Sequence, residues 1–149
     1  MKEEIEYILF FYGEDILSSD FIKEEEKYMH HGSVSVFEHS YRVTFFCVLF
    51  SLFLPFKFDK RSLIRGSLLH DYFLYDWHED DPSHKWHGFI HARRALENAS
   101  RDFELCNIEK DIIVKHMFPL NITPPKYRES VLVCLTDKIC ATFETLFKR

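Results

Sequence analysis

Glycine is scarce, four residues in a chain of 149, and no Asn-Gly or Asp-Gly pair separates alternating apolar segments, so the turn chemistry of an all-β fold is missing. Cysteine is equally sparse. Cys47, Cys106, Cys134 and Cys140 stand without a Cys-x-x-Cys pair, in or beside apolar stretches, which argues for buried thiols and against disulfides or a structural zinc site. No apolar run reaches the roughly 20 residues that cross a bilayer. The longest, Val43 to Phe56, is broken by Thr44, Ser51 and Pro55 and reads as a buried helix. Basic residues are outnumbered, 19 against 24, for a net charge of -5. Without clustered Lys and Arg the chain has no footprint for duplex nucleic acid or an anionic membrane. The start, Met1-Lys-Glu-Glu-Ile-Glu, is acidic where a signal peptide carries a basic start followed by a continuous apolar stretch, so the expected location is cytoplasmic.

What is present is apolar and helical. Hydrophobic residues make up 46% of the chain and aromatics 17%, with 16 Phe, far too much for a disordered chain. The length suits one domain. Periodicity predicts an all-α bundle of about six to seven helices, a single domain over 1–149 with residues 1–30 as a helical lid on a core of 31–145. The first helices are expected near Glu3 to Tyr12 and Ser19 to Met29, broken at Gly13-Glu-Asp. The next begins after His31-Gly32-Ser33, capped by Ser33 or Ser35, and ends at Pro55. Asp59 caps a helix ending near His70-Asp71. Tyr72 to Trp86 reads as a long loop, of the kind that often carries function. Helix resumes over Gly88 to Arg101, again from an Asn107 cap to Met117, and from Tyr127 to Phe147.

Chemistry concentrates on apolar helix faces. His39 shares a face with Val36, Val43 and Phe46 at helical offsets and points inward. Asp137 lies among Val133, Cys134, Cys140 and Ala141, where an ionised carboxylate costs several kcal/mol unless a cation or strong donors meet it. His70 and Asp71 follow Ser67-Leu-Leu at a helix end, where neighbouring side chains turn toward one ion. His116 follows Ile112-Ile113, and His91 stands one turn after His87, its competitor for the same role. Mixed imidazole and carboxylate donors suit Mn, Fe, Zn or Ni better than Ca or Mg. His30, His31, His78 and His84 read as solvated or substrate-facing loop residues, and Glu24-Glu25-Glu26 as a solvated helix face. In the cluster Tyr72-Phe73-Tyr75-Trp77, packing is the commoner role and base stacking the rarer one.

The ordered set Glu38-His39-Ser-Tyr-Arg42-Val43, Leu68-Leu69-His70-Asp71 and Thr136-Asp137-Lys138 resembles the HD-domain metal-dependent phosphohydrolases, over roughly residues 31 to 145. His91-Ala-Arg-Arg-Ala and Ile113-Val-Lys-His116 look like the additional histidines of members that hold two metals. The resemblance implies one or two divalent ions; with two, Asp71 bridges them, with His39, His70 and Asp137 on one and His91 and His116 on the other. It implies hydrolysis of a phosphate ester or anhydride of a small molecule, most readily a nucleotide, since a cation lowers the pKa of water toward neutrality and polarises the phosphoryl oxygen. Residual substrate charge needs basic partners, for which Arg42 and Lys138 are the nearest and Arg65 and Arg93 weaker candidates. Many members carry Lys or an acid three positions after the His-Asp pair. Here Leu74 stands there, with Asp76, Glu79 and Asp80 as possible replacements in the loop. That departure keeps an alternative open, a non-catalytic module of the same type that holds a metal or nucleotide as a sensor.

Overall fold

A computed structural model describes residues 1–31, 33–74 and 87–147, with the backbone alone at 31 and 87–89. Among these residues the fold is all-α apart from one small ribbon. Helix α1 (Lys2–Leu17) leads to a 3-10 helix (Ile22–Lys27), then to strands β1 (Met29–His31) and β2 (Val34–Ser35), which pair antiparallel. Five helices follow: α2 (Val36–Phe53), α3 (Lys60–Leu69), α4 (His87–Asp102), α5 (Asn107–Lys115) and α6 (Arg128–Phe147).

Local signals place the helix ends. The Ser35 side chain accepts from the Glu38 N–H at 3.1 Å while the Glu38 carboxylate accepts from the Ser35 N–H at 3.1 Å, a reciprocal cap that starts α2 one residue before Val36. Leu54 is extended, with ψ 141°, as the residue before a proline prefers. Asp59 accepts from the Ser62 N–H at 2.8 Å and starts α3. Helix α5 begins at Asn107 itself, with Cys106 as its cap residue and the Glu109 carboxylate accepting from the Cys106 N–H at 3.0 Å. Cys106 is therefore exposed, whereas Cys47, Cys134 and Cys140 are buried.

Two expectations for the first 31 residues give way. Gly13 does not break α1 but lies inside it, because a Cβ there would stand 2.9 Å from Leu68 Cδ1 and 3.1 Å from Ile64 Cγ2. It is a point of close approach between α1 and α3. The second predicted helix is replaced by the 3-10 helix and β1, since Met29 pairs with Ser35 across the ribbon.

The core sits around α2 and α3. Ile5, Leu9 and Ile16 of α1 pack there with Val48, Ile64, Leu68, Tyr72 and Phe73, so Tyr72 and Phe73 are core residues. A second cluster joins Val43 and Cys47 of α2 to Leu63, Ile112 and Val133. Gly66 marks the tightest crossing, where an added Cβ would stand 2.4 Å from Ile112 Cδ1 and 3.1 Å from its Cβ. Arg65 is 3% exposed and ties three segments together, pairing with Asp15 of α1, with Glu109 at 2.8 Å, and with the Glu104 carbonyl at 2.8 Å.

Candidate metal centre

Helices α2 to α6 each deliver one part of a single cluster. His39 comes from the first turn of α2, His70 and Asp71 from the end of α3, His91 from α4, His116 from the end of α5, and Asp137 from the middle of α6. All are buried, the most exposed being Asp137 at 7%. They form two sets that share Asp71. His39, His70, Asp71 and Asp137 make one and Asp71, His91 and His116 the other, with the donor atoms in each within 4.8 Å of one another.

Acceptors behind the rings fix which nitrogen faces inward. His70 Nδ1 lies 2.7 Å from the Ser67 carbonyl and His116 Nδ1 lies 2.7 Å from the Ile113 carbonyl, carbonyls that the ends of α3 and α5 leave unpaired. A carbonyl only accepts, so Nδ1 carries the proton and Nε2 points to the cluster. His39 Nδ1 donates to Glu144 Oε2 at 2.8 Å, and its Nε2 lies 2.9 Å from Asp137 Oδ1. A carboxylate or carbonyl behind an imidazole is the arrangement that orients histidine ligands to metals.

Two buried atoms in front of these rings have no hydrogen-bond partner, His70 Nε2 and Asp71 Oδ1. His70 Nε2 stands 3.4 Å from Asp71 Oδ2 and 3.6 Å from Asp137 Oδ1, distances of electrostatic attraction and not of a hydrogen bond at 3.6 Å. Asp71 Oδ1 lies 3.3 Å from His91 Nε2 and 3.2 Å from His116 Nε2. The last two nitrogens face each other at 3.0 Å, and because His116 Nδ1 carries that ring's proton, its Nε2 presents a lone pair to His91 and Asp71. Orphaned buried atoms converging with lone pairs are what a divalent cation satisfies. The residues fit a metal.

Charge follows the same geometry. Burial works against ionisation of Asp71 and Asp137, but the surrounding imidazoles outweigh it and hold both carboxyls well below the usual range. Burial also pushes His39 down, yet its bonds to Asp137 and Glu144 win and raise it to about 10. His70 is raised because the Asp71 charge overcomes its burial. His116 is lowered, burial being the stronger influence there.

Three further groups belong to this neighbourhood. His30, expected to be a loop residue, is buried on β1, with Nε2 2.7 Å from Asp71 Oδ2 and its ring stacked on His39 at 3.9 Å. Its signal is not in helical periodicity but in the pairing of β1 with β2. Glu144 lies seven residues after Asp137 on α6, two turns along the same face, so that offset would have identified it. Glu25, read as part of a solvated face, is fully buried, and neither carboxyl oxygen has a hydrogen-bond partner. Burial and the Asp71 charge push its pKa well above the usual value.

The basic candidates are placed as follows. Arg42 pairs with Glu144, and Lys138 Nζ donates to the His116 carbonyl at 2.9 Å, so each braces a residue of the cluster. Arg65 is committed to the core pairs described above. Arg93 is exposed and lines a groove with Lys115 and Asn121. Leu74 turns the chain with φ 54° and packs on the core, while Asn98 Nδ2 donates to the carbonyls of Tyr72 at 3.2 Å and Phe73 at 3.0 Å. The left-handed region costs a leucine about 1 kcal/mol, and Asn98 holds the turn in place. The side chains of His31 and His87, and residues Asp76, His78, Glu79, Asp80 and His84, lie outside the described residues.

Comparison with curated proteins and with solved structures gives no match. The family model of the HD domain matches residues 36–142, most of the chain and every one of the paired donor sets. With His39, His-Asp at 70–71 and Asp137 converging on one centre, the chain belongs to the HD domain family, a superfamily of metal-dependent phosphohydrolases.

Proposed function

We propose that this chain hydrolyses a phosphate ester or anhydride of a small molecule, most simply a nucleotide, with two divalent transition metals (Mn, Fe, Zn or Ni) sharing Asp71. The observation that carries the reading is the pair of donor sets meeting at Asp71, with His39, His70 and His116 each held from behind through Nδ1. Divalent cations, when bound, supply the Lewis acidity that lowers the pKa of water and polarises a phosphoryl oxygen. The chain's own residues do the rest. His39, His70 and Asp137 would hold one ion and His91 and His116 the other. Glu144 and the Ser67 and Ile113 carbonyls keep the imidazoles in the donor tautomer. Arg42 and Lys138 steady Glu144 and the His116 backbone. The groove along α4 and α5, where Lys115 is paired with Asp111 at 2.6 Å, offers the charge of Arg93 on its wall for substrate phosphates next to the helices that carry His91 and His116.

Metal content by elemental mass spectrometry tests the first part, on wild type and Asp71→Ala purified without a metal-affinity tag. Two metal equivalents in wild type, most of them lost in the variant, and turnover of a nucleotide or phosphoester by the loaded wild type are expected. Wild type that takes up no Mn, Fe or Zn would overturn it. Leu74 favours a second reading, because the position where a polar group would serve substrate is instead spent on a core-packed turn. In that reading the module holds metal and nucleotide without turnover. Metal-loaded protein that binds a nucleotide tightly and releases no product over hours selects it.

A further inference from the structure

Helix α6 is two-sided, and only one side is used by the centre. Its inner face carries Leu132, Val133, Asp137, Cys140 and Glu144, all buried. On its outer face Val131, Leu135, Ile139, Phe143, Leu146 and Phe147 are each between 44% and 71% exposed. Thr142 and Thr145 are the remaining exposed positions between 131 and 147, so among the described residues the outer face carries no charge. An ordinary solvated helix face is polar and charged. The apolar surface continues onto α2, where Phe46 and Phe50 line a groove with Ile139 and Phe143, closed at one end by Arg42, whose charge is met by the buried Glu144; Phe53, one turn beyond Phe50, is 68% exposed.

At about 200 Å² for a large apolar side chain, these exposures leave roughly 800 Å² of contiguous apolar surface, which is about what one partner buries in a standard interface. Monomeric proteins seldom expose more than a few hundred Å² in one patch. An interfacial membrane helix would carry Lys, Arg or Trp around its apolar stripe, and between 131 and 147 the exposed positions of α6 have none, while Arg128 at its first residue is turned to the Lys57 carbonyl at 3.1 Å. An uncharged ridge at offsets of four, Val131, Leu135, Ile139 and Phe143, is self-complementary. Turned about a two-fold axis it packs between the same residues of another copy, ridge into groove, without bringing like charges together.

We propose that the outer face of α6, with the Phe46–Phe50–Phe53 edge of α2, is the two-fold interface of a homodimer. Sedimentation equilibrium and light scattering on the whole metal-loaded chain at micromolar concentrations test this, for wild type and for Leu135→Glu combined with Ile139→Glu. Both positions are exposed, so the variant is expected to keep the helical circular dichroism and metal content of wild type. Wild type is expected to sediment as a dimer, and the variant as a monomer with its dissociation constant raised at least about 100-fold, since two unpaired carboxylates per copy would be buried against their own kind. A monomeric wild type would overturn the proposal. So would a dimer whose mass and affinity the two substitutions leave unchanged, or a wild type that is monomeric in solution and floats with phosphatidylcholine–phosphatidylserine vesicles.

Discussion

Glu144 decides the donor state of His39, because its carboxylate accepts from Nδ1–H at 2.8 Å and leaves Nε2 facing Asp137. Arg42, exposed at 22% on its side chain, holds the far oxygen of the same carboxylate. Glu144→Gln keeps the size and removes the charge, so the imidazole becomes a poorer and less well oriented ligand. Metal affinity is expected to fall about 10- to 100-fold with the fold intact, measured by competition against a chelating dye. An unchanged affinity would show that Glu144 serves packing alone. Arg42 and Lys138 stand among the candidate basic residues in the sequence because they neighbour His39 and Asp137, and neighbourhood in sequence does not tell which way a long side chain reaches. His39 and Asp137 are legible because each lies on an apolar helix face where a polar side chain needs a reason, and His70-Asp71 because the pair closes the apolar end of α3. His30 has no such pattern around it, and Glu25 sits in a run of acids whose neighbours Glu24 and Glu26 are exposed or half-exposed. Only the three-dimensional approach of the 3-10 helix to Asp71 and His39 distinguishes the middle one.

The helices meet closely at two glycines, and the cost of filling each space differs. At Gly66 the obstruction is Ile112, whose Cβ and Cγ2 would lie 3.1 and 3.2 Å from the new methyl besides Cδ1 at 2.4 Å, so rotation of the isoleucine tip does not relieve it. Gly66→Ala should therefore push α3 from α5 and destabilise the chain by about 1–3 kcal/mol, read from the urea midpoint. A midpoint equal to wild type would mean that α5 shifts freely. The consequence reaches the centre, because α3 ends in His70-Asp71 and α5 ends in His116. Helix limits that depend on caps, at Ser35 and Asp59, are readable from sequence because capping is local. Gly13 misleads for the opposite reason. Glycine marks both helix ends and close approaches, and the residue that settles which, Leu68, lies in another helix.

For the whole molecule the balance of buried charge sets a pH window in the absence of metal. His39 is raised from 6.5 to about 10, so its contribution to stability is complete below about 6.5 and is lost as pH rises toward 10. Glu25, also raised, acts in the same direction. Asp71 and Asp137 are lowered; their contribution is present above the ordinary carboxylate range and lost as acid protonates them. The chelated chain should thus be most stable near about pH 5 to 6, with a lower denaturant midpoint near about pH 9. An equal or higher midpoint at the alkaline value would show that His39 is not held as a cation.

The rings and carboxylates of the centre come from widely separated stretches, and the His39–Glu144 bond joins positions 105 residues apart. Its outermost members, His30 and Glu144, fall on either side of the segment 36–142 that identifies the family. A chain trimmed to that segment keeps the Ser67 and Ile113 carbonyls behind His70 and His116 but loses the carboxylate that aims His39 and the imidazole that meets Asp71. Full-strength metal capture is thereby reserved for a fold that includes both flanks of that segment, and uptake of a cation doubles as a report that residues 30 and 144 have reached the centre.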